Sequence, residues 1–184
     1  MHLSHCLCAV APPIPTQIQL VLAPHIRDWR RPSNTGRLAW LALEDVELYP
    51  FGVRGRPFDP LVLERVGARH LVLHPGGDAV PIERVCKTHF HGRGEGDVRL
   101  LVPDGTWRQS GRIANRLCQI PGALRVSVTP RPTGALRKRP SPNRACTAEA
   151  IATALSELGE PQAAASIRAL LGLLLERTAR SRGE

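Results

Sequence analysis

No apolar run in the 184 residues approaches the roughly 18 that a membrane span needs. The longest, residues 169–175, is short and is interrupted by Gly172. The N-terminus has no basic stretch ahead of an apolar one, and Pro12, Pro13 and Pro15 break any hydrophobic segment there, so no secretory signal is expected. These absences lead to the expectation of a cytoplasmic protein with no membrane partner. Cysteine is scarce and odd in number: Cys6, Cys8, Cys86, Cys118 and Cys146 form no even disulfide framework, which suits a reducing compartment. No Gly-x-Gly-x-x-Gly follows the first apolar run, no P-loop is present and no Gly-x-Ser-x-Gly elbow appears. Dinucleotide-enzyme, P-loop NTPase and α/β-hydrolase readings therefore lose their support, and any nucleotide-like cofactor must bind by another geometry. With 42% hydrophobic and 22% charged residues, the composition fits one packed α/β domain.

Acidic charge is missing from one quarter of the chain. Residues 99–144 hold ten Lys or Arg and a single acid, Asp104, a local charge of +9, whereas the remainder carries fifteen bases and fifteen acids. A local excess of this kind is the electrostatic footprint of a polyanion partner, nucleic acid first. Arg supplies 23 of the 25 bases, as a GC-rich genome would produce unselected, but genome composition does not gather the imbalance in one segment.

The apolar pattern alternates between strand and helix. Residues 18–23 (IQLVLA) read as a buried strand ending at Pro24-His25. Asn34 is predicted to N-cap a helix from Thr35 to about Leu43 with Leu38, Leu41 and Ala42 inward, and residues 49–60 read as a Gly/Pro-rich loop. Residues 69–74 form a second strand closed by Pro75-Gly76-Gly77. Residues 98–102 form a third, running into Pro103-Asp104-Gly105-Thr106-Trp107. A helix from Trp107 to Cys118 should bury Ile113 and Leu117, and residues 124–128 make a fourth strand before a basic, Pro-rich loop over 130–143. Two helices close the chain. The first has Thr147 as N-cap, Ile151, Ala154, Leu155 and Leu158 inward and Gly159 as its stop; the second starts with Pro161 near N1 and carries Ile167, Leu170, Leu171 and Leu174. The last helix is apolar enough to serve as core or as an interface. The pattern predicts an α/β fold with a mostly parallel sheet flanked by helices. Ligands of such sheets sit beyond the carboxyl ends of the strands, where Pro24-His25, His74 to Gly77 and Asp104 to Trp107 all fall.

Asp104-Gly105-Thr106-Trp107 has two readings. A carboxylate, a glycine and a hydroxyl after a strand can approach and bind a ligand; equally, Asp104 or Thr106 can N-cap a helix while Trp107 packs on the sheet. Arg108, Arg112 and Arg116 follow at i, i+4 and i+8 on one helix face. Their mutual repulsion would be relieved by a phosphate backbone, although a charge run is often only a solvated face. Cys146 to Ala150 reads as a helix start with Glu149 at N2, favourable with the helix dipole. Cys6 and Cys8, with His2 and His5 near, are half of a zinc ligand set, since structural zinc takes four ligands. His89 and His91 read as surface histidines.

In order along the chain, HCLCA at 5–9, PHIRDWRRPSNTGRLA at 24–39, LVLHPGG at 71–77, DGTW at 104–107, RKRPSP at 137–142 and CTAEA at 146–150 resemble the DTW-domain family. These are the tRNA-uridine aminocarboxypropyltransferases, named for an Asp-x-Thr-Trp motif. The series spans about residues 5–158, and the collinear set is specific where each motif alone is weak. The resemblance implies transfer of the 3-amino-3-carboxypropyl group of S-adenosylmethionine to N3 of a uridine in tRNA, leaving 5′-methylthioadenosine. It also implies a SPOUT-like fold with a C-terminal knot that holds the cofactor, a topology no periodicity would suggest.

Carried onto this chain, the resemblance places Asp104, Thr106 and Trp107 at the reaction. Asp104 would be either the base for the uridine N3–H or the anchor of the methionine ammonium, with an Arg such as Arg139 taking the methionine carboxylate. Leu73, His74, Pro75, Gly76, Gly105, Thr147 and Glu149 would complete the cofactor site. Asn34, Thr35 and Arg37 would lie close by on the RNA side, and Arg108, Arg112, Arg116, Arg137 and Lys138 would track tRNA phosphates. Residues 1–12 become a partial N-terminal Cys segment and residues 13–184 a single DTW domain. The segment, with Cys6 and Cys8 as metal ligands, would be a remnant of the zinc ribbon that family members build with an upstream Cys-x-x-Cys. Cys146 departs mildly from the family, where Ser is usual. Two other readings remain beside this one: a SPOUT-type RNA methyltransferase using the same cofactor, and a non-catalytic tRNA-binding protein.

Overall fold

Residues 6–8, 10, 12–89, 97–130 and 145–182 are described by a computed structural model of the chain. Short aliphatic runs give the strands β1 (Gln19–Pro24), β2 (Val46–Leu48), β3 (Arg69–Leu73), β4 (Val80–Pro81), β5 (Val98–Asp104) and β6 (Leu124–Ser127). All pair in parallel, in the order β2-β1-β5-β3-β6-β4. The helices are α1 (Ile26–Trp29), α2 (Gly36–Ala42), α3 (Ile82–His89), α4 (Trp107–Leu117), α5 (Thr147–Glu157) and α6 (Pro161–Arg182). The expected α/β architecture, a parallel sheet flanked by helices, is therefore what the chain forms.

Successive strand residues serve opposite faces, and both faces are dry. Leu20, Leu22, Leu71, Leu73, Leu100 and Val102 pack with Leu38 of α2, Ile151 and Leu155 of α5, and Ile167, Leu170, Leu171 and Leu174 of α6. Val21, Ala23, Val72 and Leu101 pack instead on Ile113 and Leu117 of α4, with Tyr49 and Leu63 beside them. This two-sided burial explains why the strands lack polar alternation. It also assigns the apolar residues of α6 to the core.

Several local expectations are corrected. The strand predicted over 98–102 runs on through Pro103 to Asp104. Proline is tolerated there because the β3–β5 pairing ends at Val72↔Leu101, while β1 continues alone to Pro24↔Asp104. Between the first strand and Asn34 the chain makes the one-turn α1, whose first turn His25 caps by accepting from the Arg27 N–H. The loop over 49–60 is pinned by a bridge between His25 and Phe51 and leads to a 3₁₀ turn at Pro60–Leu63. The elements β2, β4 and α3 are too short or too polar for a periodic signal. Cys146, not Thr147, is the N-cap of α5, which makes Thr147 the first helical residue and moves Glu149 from N2 to N3. There the Glu149 carboxylate accepts from the Cys146 N–H at 2.8 Å. No helix among the described residues is long and apolar enough to cross a membrane.

Candidate active site

The β5 strand ends beside the carboxyl ends of β1 and β3, and its last residue, Asp104, is only 3% exposed. The backbone fixes it first: the His25 N–H donates to the Asp104 carbonyl at 2.8 Å. The side chain is then held from two sides. Asn34 Nδ2 donates to Oδ2 at 2.5 Å, and Thr147 Oγ1 donates to Oδ1 at 2.5 Å. Each oxygen of this buried carboxyl thus accepts one side-chain hydrogen bond. Asn34 is oriented in turn by its own Oδ1, which accepts from the Arg37 N–H at 3.2 Å. The N-cap position of α2 is Thr35 rather than the expected Asn34, because the helix begins one residue later than predicted, at Gly36; Asn34 still accepts from its first turn. Thr35 ties the same turn to α5, its Oγ1 accepting from the Ala148 N–H at 3.4 Å. Two helix starts from distant parts of the chain therefore meet on one carboxylate.

Glycine is required at two places around it. A Cβ on Gly36 would lie 3.0 Å from Asp104 Oδ2, and one on Gly105, at φ +156°, would lie 3.1 Å from Gln109 Cβ. With alanine at either position the neighbouring atoms would have to give by a few tenths of an ångström, and at Gly105 the positive φ adds backbone strain. Thr106 starts α4 with a capping box, accepting from the Gln109 N–H while Gln109 Oε1 accepts from the Thr106 N–H at 2.8 Å. Its hydroxyl thus performs the structural role weighed for it. Trp107 does not sink onto the sheet: it is 36% exposed, with its ring roughly edge-on to His74 at 6.4 Å.

Leu73 is buried at the end of β3, and the His74 N–H donates to the Val126 carbonyl. Both ring nitrogens of His74 are buried and meet no hydrogen-bonding partner among the described residues. Burial first, then the charge of Arg125, holds its pKa below the ordinary histidine value, so the ring is neutral near pH 7. Pro75 is exposed, and Gly76 lies against the Arg125 side chain. Arg125 is pinned by Asp78 at 3.3 Å and by Asn115 at 2.8 Å.

The basic quarter of the chain divides under this geometry. Arg99 is fully buried, donating to the Leu63 carbonyl and pairing with Glu47, and Arg125 faces inward beneath Gly76. These two arginines hold the fold. Arg108, Arg112 and Arg116 are exposed on α4, as the i, i+4, i+8 spacing required. Arg37 lies over the Trp29 ring at 5.6 Å. Arg137, Lys138 and Arg139 lie outside the described residues, as do His2, His5 and His91. Cys146 is a partly buried cap whose thiol pKa is pushed up to about 11, by burial first, and Glu149 at N3 is buried. Sequence reasoning missed Gly36 and the inward role of Arg125; a glycine directly after a polar cap pair was the available signal for the first.

At the N-terminus, hydrogen bonds from Cys8 hold the Cys6 thiol below its ordinary pKa, and the same pairing raises that of Cys8. Two thiols fall short of a tetrahedral zinc set, and no group of three or more His, Cys, Asp or Glu that could hold a metal occurs among the described residues.

The DTW domain family profile matches residues 1–179, nearly the whole chain. No curated protein and no solved structure matches it. The family assignment is consistent with a tRNA-modifying enzyme. With that match along its length, and with the separated motifs 24–39, 104–107 and 146–150 meeting at Asp104, the chain belongs to the DTW domain family.

Proposed function

We propose that this chain transfers the 3-amino-3-carboxypropyl group of S-adenosylmethionine to N3 of a uridine in tRNA and releases 5′-methylthioadenosine. The observation that carries the reading is the convergence of Asn34, Asp104 and Thr147 on one buried carboxylate at the end of the sheet where α/β folds take their ligands. The SPOUT-like topology with a C-terminal knot, the single domain over 13–184 and the cytoplasmic setting belong to the same proposal.

S-adenosylmethionine, when bound, supplies an electrophilic γ-carbon next to a sulfonium. The N3–Cγ bond forms as the Cγ–S bond breaks, the bonding pair stays on sulfur, and the N3 proton goes to a base. The residues present suit such a molecule: a buried anion, two close glycine approaches and an imidazole with unsatisfied nitrogens. Asp104 already accepts an internal hydrogen bond on each oxygen, which fixes the carboxyl in place and occupies a lone pair on each oxygen. This favours Asp104 as the fixed negative charge for the methionine ammonium over Asp104 as the base. Gly36 lets the start of α2 approach that carboxyl closely, since a Cβ there would stand 3.0 Å from Oδ2. His74 is neutral and able to accept a hydrogen bond, Trp107 offers an aromatic wall next to it, and Thr106 fixes the start of α4 behind both. Leu73 to Gly76, Thr147, Glu149 and Arg139 complete the cofactor site. On the RNA side, Thr35 and Arg37 sit beside Asn34, while Arg108, Arg112, Arg116, Arg137 and Lys138 meet phosphates. Selecting the γ-carbon over the methyl is then a matter of alignment in this cradle.

Mass spectrometry of the small-molecule by-product and of the nucleosides, after incubation with unmodified tRNA and S-adenosylmethionine, tests the reaction. Methylthioadenosine with an aminocarboxypropylated uridine is the expected result. S-adenosylhomocysteine with a methylated nucleoside would overturn the chemistry in favour of methyl transfer. Neither product, in folded protein that binds tRNA, would leave a binding protein.

A further inference from the structure

Outside the basic quarter, the sequence balances its charges, yet folding gathers one cationic patch from that neutral remainder. Arg27, Arg30 and Arg31 are exposed on and just after α1, and Arg37 stands on α2. The acid among them, Asp28, is buried and faces Arg31 at 3.1 Å, so it offers little negative charge to the surface. Trp29 ties the two helices together: Arg37 lies over its ring at 5.6 Å, and Trp40 meets it roughly edge-on at 6.5 Å. Trp40 itself is 49% exposed. Arg37 and Trp40, three residues apart, share a helix face, while Leu38, Ala39 and Ala42 point into the core. Exposed Glu44 and Asp45 follow α2 and close the patch at that end.

A large half-exposed aromatic among guanidinium groups is what an unstacked nucleic-acid base and its flanking phosphates require. A protein partner would call for aliphatic surface around the tryptophan. Among the described residues, the large exposed aliphatics are Leu61, Val62 and Val66 of another segment and the single residues Val10 and Leu48, each only just exposed. The patch also begins at the segment whose Asn34 and Gly36 contact the Asp104 site, roughly one helical turn from Trp40.

We propose that the α1–α2 surface binds single-stranded RNA, with one unpaired base stacked on Trp40 and the adjoining phosphates on Arg30, Arg31 and Arg37. This rests on the reading that the substrate is RNA, but not on the reaction performed. The surface would hold a looped nucleotide next to the site, while the Arg108–Arg112–Arg116 stripe of α4 holds helical phosphates.

The test uses the full chain, a short oligouridylate and unmodified tRNA, with binding measured over a series of salt concentrations. Trp40→Ala should weaken oligouridylate binding about ten-fold without changing the salt slope, and Trp40→Phe should keep most of it. Arg30→Ala with Arg31→Ala should flatten the log–log slope by about 0.7 per lost contact. Tryptophan fluorescence of the wild type should be quenched by the oligonucleotide, and less so in Trp40→Phe. Should Trp40→Ala unfold, as its circular dichroism melt would reveal, Trp40→Phe quenching and the double Arg variant decide. Wild-type binding and slopes in all variants overturn the proposal, even if the transfer reaction is found. Trp40-dependent binding in a protein that yields no modified uridine supports the surface and defeats the reaction. A wild type that binds neither RNA removes the surface along with its premise.

Discussion

Thr147 and Asp104 lie 43 residues apart, and the threonine hydroxyl donates to the aspartate carboxylate at 2.5 Å. One bond thus joins the tip of the central strand β5 to the first residue of α5. Asn34 makes the matching bond from the α2 side. Neither partner alone would hold a buried charge: a carboxylate with almost no exposed surface is tolerated because its oxygens are satisfied.

Thr147→Val removes that donor and keeps the shape. Hydrogen bonds to charged groups are worth about 1.5–3 kcal/mol, so the unfolding free energy should fall by about that much, read from denaturant midpoints at constant m value. Thr147→Ser should recover most of it, and transfer activity should follow the same order. A valine variant as stable and active as wild type would mean that Asp104 does not depend on this contact.

The exposed stripe of α4 makes a salt-dependence prediction. Replacing Arg108, Arg112 or Arg116 by Ala should weaken tRNA binding and reduce the log–log salt slope by about one per residue. Arg99→Ala should behave otherwise, lowering stability and leaving the slope of the folded fraction unchanged, because Arg99 is spent on Glu47 and the Leu63 carbonyl. An unchanged slope for all three stripe variants would show that this face of α4 does not meet RNA.

His70 gives a pH dependence with a defined sign. It is buried, and its Nε2 accepts from the Arg65 N–H at 3.1 Å. Burial first, and the Arg99 charge second, hold its pKa below the ordinary value. A histidine whose folded pKa is depressed adds stability that is complete above its unfolded value near ~6.5 and is lost as pH falls from there. Unfolding midpoints should therefore drop between about pH 7 and 5, and His70→Gln should flatten that drop. His25 and His74 shift in the same direction, so part of the dependence should survive the substitution.

Cys146 should be inert. With its thiol pKa pushed up to about 11 by burial, almost none of it is thiolate at pH 8, so alkylation of the native protein should spare it and modify Cys6, whose thiol the Cys8 hydrogen bonds hold below its ordinary value. Peptide mass mapping after iodoacetamide reads this directly. Cys146→Ser, which restores the residue usual in the family, should leave stability near wild type, since serine is a strong N-cap. Rapid native labelling of Cys146 would show that α5 opens at its start.

The strands and helices with strong apolar periods were legible because burial on both faces writes itself into composition. Residues 18–23, 69–74, 98–102 and 124–128, and the final two helices, were placed to within two residues or so. The short pieces α1, β2, β4 and α3 were not, since each owes its form to tertiary neighbours rather than to its own pattern. At the site, the segments were visible as motifs, but their partners were not. Thr147 looked like a cap until the fold put Cys146 in that role and freed the threonine hydroxyl for Asp104.

Charge shows the same division. The sequence by itself determined how many cations the chain has, where they cluster along it, and which helix face carries Arg108, Arg112 and Arg116, because covalent spacing and a 3.6-residue period suffice for that. The tertiary structure decided which cations face water. It buried Arg99, turned Arg125 under Gly76, and set Arg30, Arg31, Arg37 and Trp40 on one surface, from a segment, 27–40, with four arginines and one acid inside a remainder that balances as a whole. Local pattern fixes the face a residue takes on its own element; only the packing of elements fixes what that face meets.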